Sequence, residues 1–126
     1  MRAVAALAAC LITLPICACA PKPESHGLEP IGLDCSQPFE AQAQRLTAQP
    51  GLKAAPKDAA EPYRFYSSED GATSYLITEA GAPGHPAIMM QRAVHGDVKT
   101  TGCPYGDRKA YDKLLAYLEG LKEWHR

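Results

Sequence analysis

The segment Ala87-Ile88-Met89-Met90-Gln91-Arg92-Ala93-Val94 is followed by His95-Gly96-Asp97 and then by Val98-Lys99-Thr100-Thr101-Gly102-Cys103. A mostly apolar run, a break containing glycine, and a second run with Val and Thr predict a β-hairpin whose outgoing strand ends in a cysteine. This hairpin, with the break at His95-Gly96-Asp97 as its connection, is expected to form the centre of the fold.

Upstream of it, Tyr63-Arg64-Phe65-Tyr66-Ser67 and Thr73-Ser74-Tyr75-Leu76-Ile77-Thr78 are rich in aromatic and β-branched residues. Between them Ser68-Glu69-Asp70-Gly71 is a turn signal, so a second hairpin is expected. Glu79 to Pro86 holds Gly81, Pro83, Gly84 and Pro86, which interrupt any ladder. Four antiparallel strands in a meander are the simplest order, because consecutive strands tend to be neighbours.

A helix is expected on each side of the sheet sequence. Before it, Phe39, Ala43 and Leu46 recur at helical spacing. Ser36 or Gln37 is placed to cap that helix, Pro38 suits its first turn, and Gln42, Gln44 and Arg45 are expected to face away. Pro50-Gly51 ends it, and Leu52 to Pro62 reads as an exposed loop. After the sheet, Pro104-Tyr105-Gly106 turns the chain and Asp107 is a plausible cap for a helix beginning at Arg108. Tyr111, Leu114, Leu115, Leu118 and Leu121 form its apolar stripe, closed by Trp124. Four strands at about 4.8 Å spacing span roughly 15–19 Å, and a helix is about 10 Å wide. Two helices together would cover one face, so the expected architecture is α+β, in the order α-β-β-β-β-α, with both helices on one face.

The start of the chain carries a different signal. Met1-Arg2 is charged, Ala3 to Ile16 is almost wholly apolar, and small residues follow, which is the pattern of an export signal. Ile16-Cys17-Ala18-Cys19 resembles the lipobox of bacterial lipoproteins: an aliphatic residue three before the cysteine and a small one directly before it. The resemblance covers the first twenty residues or so and implies removal of residues 1–18. Cys19 would then open the mature chain, carrying a diacylglycerol on its sulfur and an acyl chain on its amine. Each buried methylene contributes about 0.8 kcal/mol, so several chains make a durable anchor where one is marginal. Ala20 after the cysteine, where inner-membrane lipoproteins carry Asp, implies the outer membrane, with the domain in the periplasm. Ala18-Cys19-Ala20 also fits ordinary signal-peptidase cleavage, although Pro21 would follow the cut, and an uncleaved anchor would have to span with barely enough residues and Pro15 among them. Residues 19–34, with Pro21, Pro23, Gly27, Pro30 and Gly32, read as the lipidated cysteine and a flexible linker, and 35–126 as a single domain.

With the signal removed and Cys19 given to lipid, Cys35 and Cys103 remain. An even remainder in an exported chain predicts a disulfide. Closing so large a ring stabilises by roughly 4 kcal/mol on the chain-entropy model.

The rest of the sequence offers little chemistry. Thirteen basic and fourteen acidic residues leave no basic block, so nucleic acid is not an expected partner. His26, His85, His95 and His125 have no metal-binding spacing, so neither a metal nor any other cofactor is expected. The serines lack a G-x-S-x-G elbow, there is no C-x-x-C motif, and Glu69-Asp70 is better explained as part of a turn. No catalytic residue is assigned. Candidate binding residues are His85, in a Gly/Pro loop where binding groups tend to be placed, and Tyr105 beyond the last strand. Met89, Gln91 and Tyr66 are candidates because neither face of their strands is cleanly polar, which suggests an exposed partner surface. Arg92 shares its face with Ile88, Met90 and Val94, a conflict that a bulge or an edge position would relieve. Together these readings predict a lipid-anchored envelope protein acting as a non-catalytic binding or assembly module, with an envelope protein as its partner. A small periplasmic hydrolase or ligand-binding protein using the Gly84-His85-Pro86 loop is the alternative.

Overall fold

The computed structural model describes residues 30–123, with side chains to residue 120. The export signal, Cys19, His26, Trp124 and His125 lie outside the described residues, as does the side chain of Leu121. In chain order the elements are α1 (Phe39–Thr47), β1 (Lys53–Ala54), β2 (Tyr63–Ser67), β3 (Thr73–Thr78), β4 (Ala87–Val94), β5 (Asp97–Pro104) and α2 (Arg108–Glu123). The fold is α+β: a helix, a five-stranded antiparallel meander in the order β1-β2-β3-β4-β5, and a helix. The fifth strand is the short β1, inside the stretch expected to be a loop. It pairs Lys53 with Ser67 and Ala54 with Tyr66, and Pro56 follows closely enough to stop it.

The central hairpin forms where expected, with a tighter connection. Val94 pairs directly with Asp97, leaving His95 and Gly96 as a two-residue loop. Both have positive φ, 50° and 85°, which is the requirement of the turn type whose twist matches the strands. Asp97 is therefore the first residue of β5. The same register places Arg92 opposite Thr73 and Lys99 without a bulge.

Alternation along the strands builds two cores. Tyr75, Ile77, Ile88 and Met90 point to one face and join Ala43 and Leu46 of α1. Leu76, Ala87 and Met89 point to the other and join Tyr111, Leu114 and Leu118 of α2. The helices thus lie on opposite faces, not on one. The reason is in β3 and β4, which are apolar on both sides: covering one side with two helices would have left the other in water. Each large apolar side chain buried this way contributes roughly 1.5–3 kcal/mol.

The helix starts differ from each other. Asp107 caps α2 as expected, its carboxylate accepting the Ala110 N–H at 3.0 Å. α1 has no side-chain cap: Pro38 occupies the capping position, and Ser36 donates its N–H and hydroxyl back to Asp34 Oδ1. Residues 30–34, read as the end of the linker, are packed into the domain. Ile31 and Leu33 lie against the α1 core, and Tyr75 Oη donates to the Ile31 carbonyl at 2.7 Å.

Cys35 and Cys103 are disulfide-bonded, with Cα atoms 5.2 Å apart. Cys103 pairs with Ile88, so the bond lies on the α1 face. It fastens the segment before α1 to the edge strand β5 and leaves α2 to hydrophobic packing.

Candidate functional site

Three of the elements converge where β3 ends and β4 begins. The loop from Glu79 to Pro86 is closed by backbone bonds from Ala82 N–H to the Glu79 carbonyl and from His85 N–H to the Ala82 carbonyl, both 3.1 Å. Its end, the cis His85–Pro86 peptide, sets the imidazole beside Thr78. Thr78 Oγ1 lies 2.9 Å from His85 Nδ1, 3.0 Å from the Ala87 carbonyl and 2.8 Å from the Ala87 N–H. A hydroxyl has one proton and two lone pairs. With a proton on His85 Nδ1, Thr78 accepts from His85 and from Ala87 N–H and donates to the Ala87 carbonyl, which satisfies every group; the tautomer is assigned from this count.

On its outer side His85 meets Phe39 edge to face, with ring centroids 5.4 Å apart, and Phe39 meets Tyr105 at 5.8 Å. Such pairs contribute about 0.5–1.5 kcal/mol beyond burial. The structure therefore brings His85 and Tyr105 together through Phe39, in a packed aromatic corner. Among the described residues no carboxylate contacts the His85 ring, and no group of three or more His, Cys, Asp or Glu side chains could hold a metal.

Beneath this corner lies Gln42, which was expected to face away and is instead fully buried. Its Nε2 donates to the Asp34 carbonyl at 2.7 Å and to Tyr105 Oη at 3.3 Å, and approaches Cys103 Sγ at 3.7 Å. Its Oε1 accepts from Arg45 at 2.6 Å and from the Asp34 N–H at 3.2 Å. Position explains the correction: residue 42 sits three after Phe39 and four before Leu46, on the apolar stripe, so geometry outweighs polarity. Asp34 in turn has its carboxyl pulled below the ordinary aspartate value by the Ser36 hydroxyl and N–H. Burial pushes the Tyr111 hydroxyl above the ordinary phenol value.

The expected partner surface is redistributed. Met89 is 1% exposed under α2 and cannot meet a partner, because the face it occupies is the one α2 covers. Gln91 is half-buried and its Nε2 reaches Thr100 Oγ1 at 3.4 Å. Tyr66 packs against the α1 core and its hydroxyl accepts from Arg64 at 3.4 Å. Among the described residues, the large apolar side chains that do reach solvent are Phe65, Val94, Val98 and Tyr117. Arg92 spends Nη2 on the Pro30 carbonyl at 2.7 Å, while its buried Nε has no hydrogen-bond partner.

A cleft of about 300 Å³ opens on the far side of the sheet, between the end of β1 and β2. Ala54, Ala55 and Pro56 line it together with Tyr63, Phe65 and Glu79. Sequence reading passed over it because no motif marks it; it exists where small side chains and a proline cut β1 short beside an aromatic strand. Comparison of the chain with protein-family models, curated proteins and solved structures finds no match to any of them.

Proposed function

We propose that this chain is a lipid-anchored envelope protein whose single α+β domain works in the periplasm as a non-catalytic binding or assembly module, tethered to the outer membrane through Cys19. The observation that carries the reading is the Cys35–Cys103 disulfide. It joins the two cysteines left over once the export signal is removed and Cys19 is lipidated, and such bonds persist in oxidising compartments.

The tether has a definite length on this reading. From Cys19 to Pro30, the first described residue, is 30 − 19 = 11 residues, which at about 3.1 Å each reach some 34 Å when extended. On this reading that length would hold a domain clear of lipid headgroups. The non-catalytic part of the reading rests on the bonding of His85, whose Nδ1 is engaged by Thr78 and whose ring is packed against Phe39. In the competing hydrolase reading Nδ1–H would donate to an orienting carboxylate, and Thr78 occupies that position instead.

Metabolic labelling with radioactive palmitate tests the proposal. The wild-type chain should take up label and sediment with membranes, and Cys19→Ala should abolish labelling and processing. A Cys19→Ala chain processed and membrane-bound as before would defeat the reading.

A further inference from the structure

The cleft between β1 and β2 has the makings of a ligand site, and its polar groups limit what it can take. At about 300 Å³ it is at the lower end of small-molecule pockets. Tyr63 and Phe65, two strand positions apart and so on the same side of β2, place their ring centroids 6.3 Å apart at an interplanar angle of 55°, giving an aromatic wall. Phe65 is 38% exposed, so part of its ring is open to the cleft and to solvent. Beside it Ala55, whose N–H donates to the Phe65 carbonyl at 2.8 Å, is too small to fill the space, and Pro56 prevents β1 from continuing across it.

Two charged side chains line the cleft close to one another, Lys57 and Glu79. Lys57 Nζ donates to the carbonyls of Asp58 and Glu61 and forms an ion pair with Glu79 Oε1 at 3.2 Å, so its charge is already offset within the cleft wall. Glu79 differs. Its Oε1 is sealed against Lys57 without hydrogen-bond geometry, yet the side chain as a whole is 37% exposed. No hydrogen bond from the described residues ends on its carboxylate, which is therefore left with acceptor capacity. Arg64, the remaining cation of the lining, directs its guanidinium to Tyr66 Oη.

We propose that this cleft binds a small aromatic ring carrying one neutral N–H or O–H donor, of the indole or phenol class, stacked on Tyr63 and Phe65 with its donor on Glu79. A neutral donor is favoured over an ammonium because Lys57 already balances the carboxylate, so a second cation would be repelled while a neutral N–H gains a charge-assisted bond. The inference goes beyond the assembly reading and does not depend on the lipid anchor.

Indole and 1-methylindole separate the donor from the ring, since methylation removes only the N–H. Each is titrated into the purified, oxidised full-length chain while backbone amides are followed by NMR. Indole should shift the resonances of Ala55, Tyr63, Phe65 and Glu79 saturably, and 1-methylindole should bind about tenfold more weakly, as loss of a hydrogen bond to a charged group implies. Ala55→Leu, at an exposed position, should fill the cleft and abolish indole binding with the rest of the spectrum unchanged. Glu79→Met should reduce indole to the affinity of 1-methylindole. Equal affinity for the two probes, shifts confined to another part of the surface, no saturable shift with indole, or undiminished binding by Ala55→Leu would each overturn the proposal.

Discussion

Thr78 Oγ1 stands 2.9 Å from His85 Nδ1 and also bridges the amide and carbonyl of Ala87, so one buried hydroxyl joins the last residue of β3, the loop and the first residue of β4. Thr78→Val keeps the shape and removes the hydroxyl. The Ala87 groups are then buried without their partner, and the expected loss is about 1–3 kcal/mol by urea denaturation. His85→Phe, which keeps the contact with Phe39 but not the bond, should cost less than Thr78→Val. The reverse order would mean that the histidine, and not the threonine, holds the loop.

Cys35 and Cys103 are separated by 68 residues, so their bond removes a large closure entropy from the unfolded chain. On the chain-entropy model its loss costs about 4 kcal/mol. The Cys35→Ser/Cys103→Ser double variant should show that decrease in urea, and wild-type protein with reductant should match it.

Gln42 is the polar residue on which the α1 face turns. Gln42→Leu fits the stripe but strands the Asp34 N–H and removes one of two partners each from the Asp34 carbonyl, which keeps Gln37 N–H, and from Arg45, which keeps the Gly32 carbonyl. A loss of about 1–3 kcal/mol is expected despite the added apolar surface. Amide exchange of Asp34 should quicken, which a purely hydrophobic gain would not produce.

Gly102 lies under the Tyr111 hydroxyl, where a Cβ would collide with the oxygen. Gly102→Ala should destabilise by about 1–3 kcal/mol, as overpacking does, and Tyr111→Phe should recover much of the loss in a double-mutant cycle. Independent, additive effects would place the strain elsewhere.

The carboxyl of Asp34 is held below its ordinary value of 3.8 by Ser36. A depressed folded value means that its contribution to stability is present above that pH and lost as pH falls below it. Acid titration followed by circular dichroism should show wild type losing stability below about pH 4, and Asp34→Asn should flatten this part of the curve.

Much of this architecture could be read from residue order. The alternation in β2 to β5, the apolar stripes of both helices and the Asp107 cap follow from local patterns, and the pairing of Cys35 with Cys103 from the count of cysteines that remain. What local patterns do not carry is which side of a sheet a helix takes. Leu76 and Met89 against Tyr75 and Met90 showed two apolar faces, but the side taken by α2 depends on the path through Pro104–Asp107. Gln42 was misplaced because its polarity was weighed above its position between Phe39 and Leu46. β1 and its cleft leave no mark in the sequence because two residues are too few for any periodicity, and Met89 lies under α2 because the sheet has no open central face.

Intact-mass spectrometry of the protein isolated from its own membranes, with free thiols alkylated, tests the central claim most directly. The account predicts a chain beginning at Cys19, heavier than its sequence by a diacylglycerol and one acyl chain, with residues 35 and 103 refractory to alkylation until reduced. A chain beginning at Pro21 without lipid, or two thiols that alkylate freely, would contradict it.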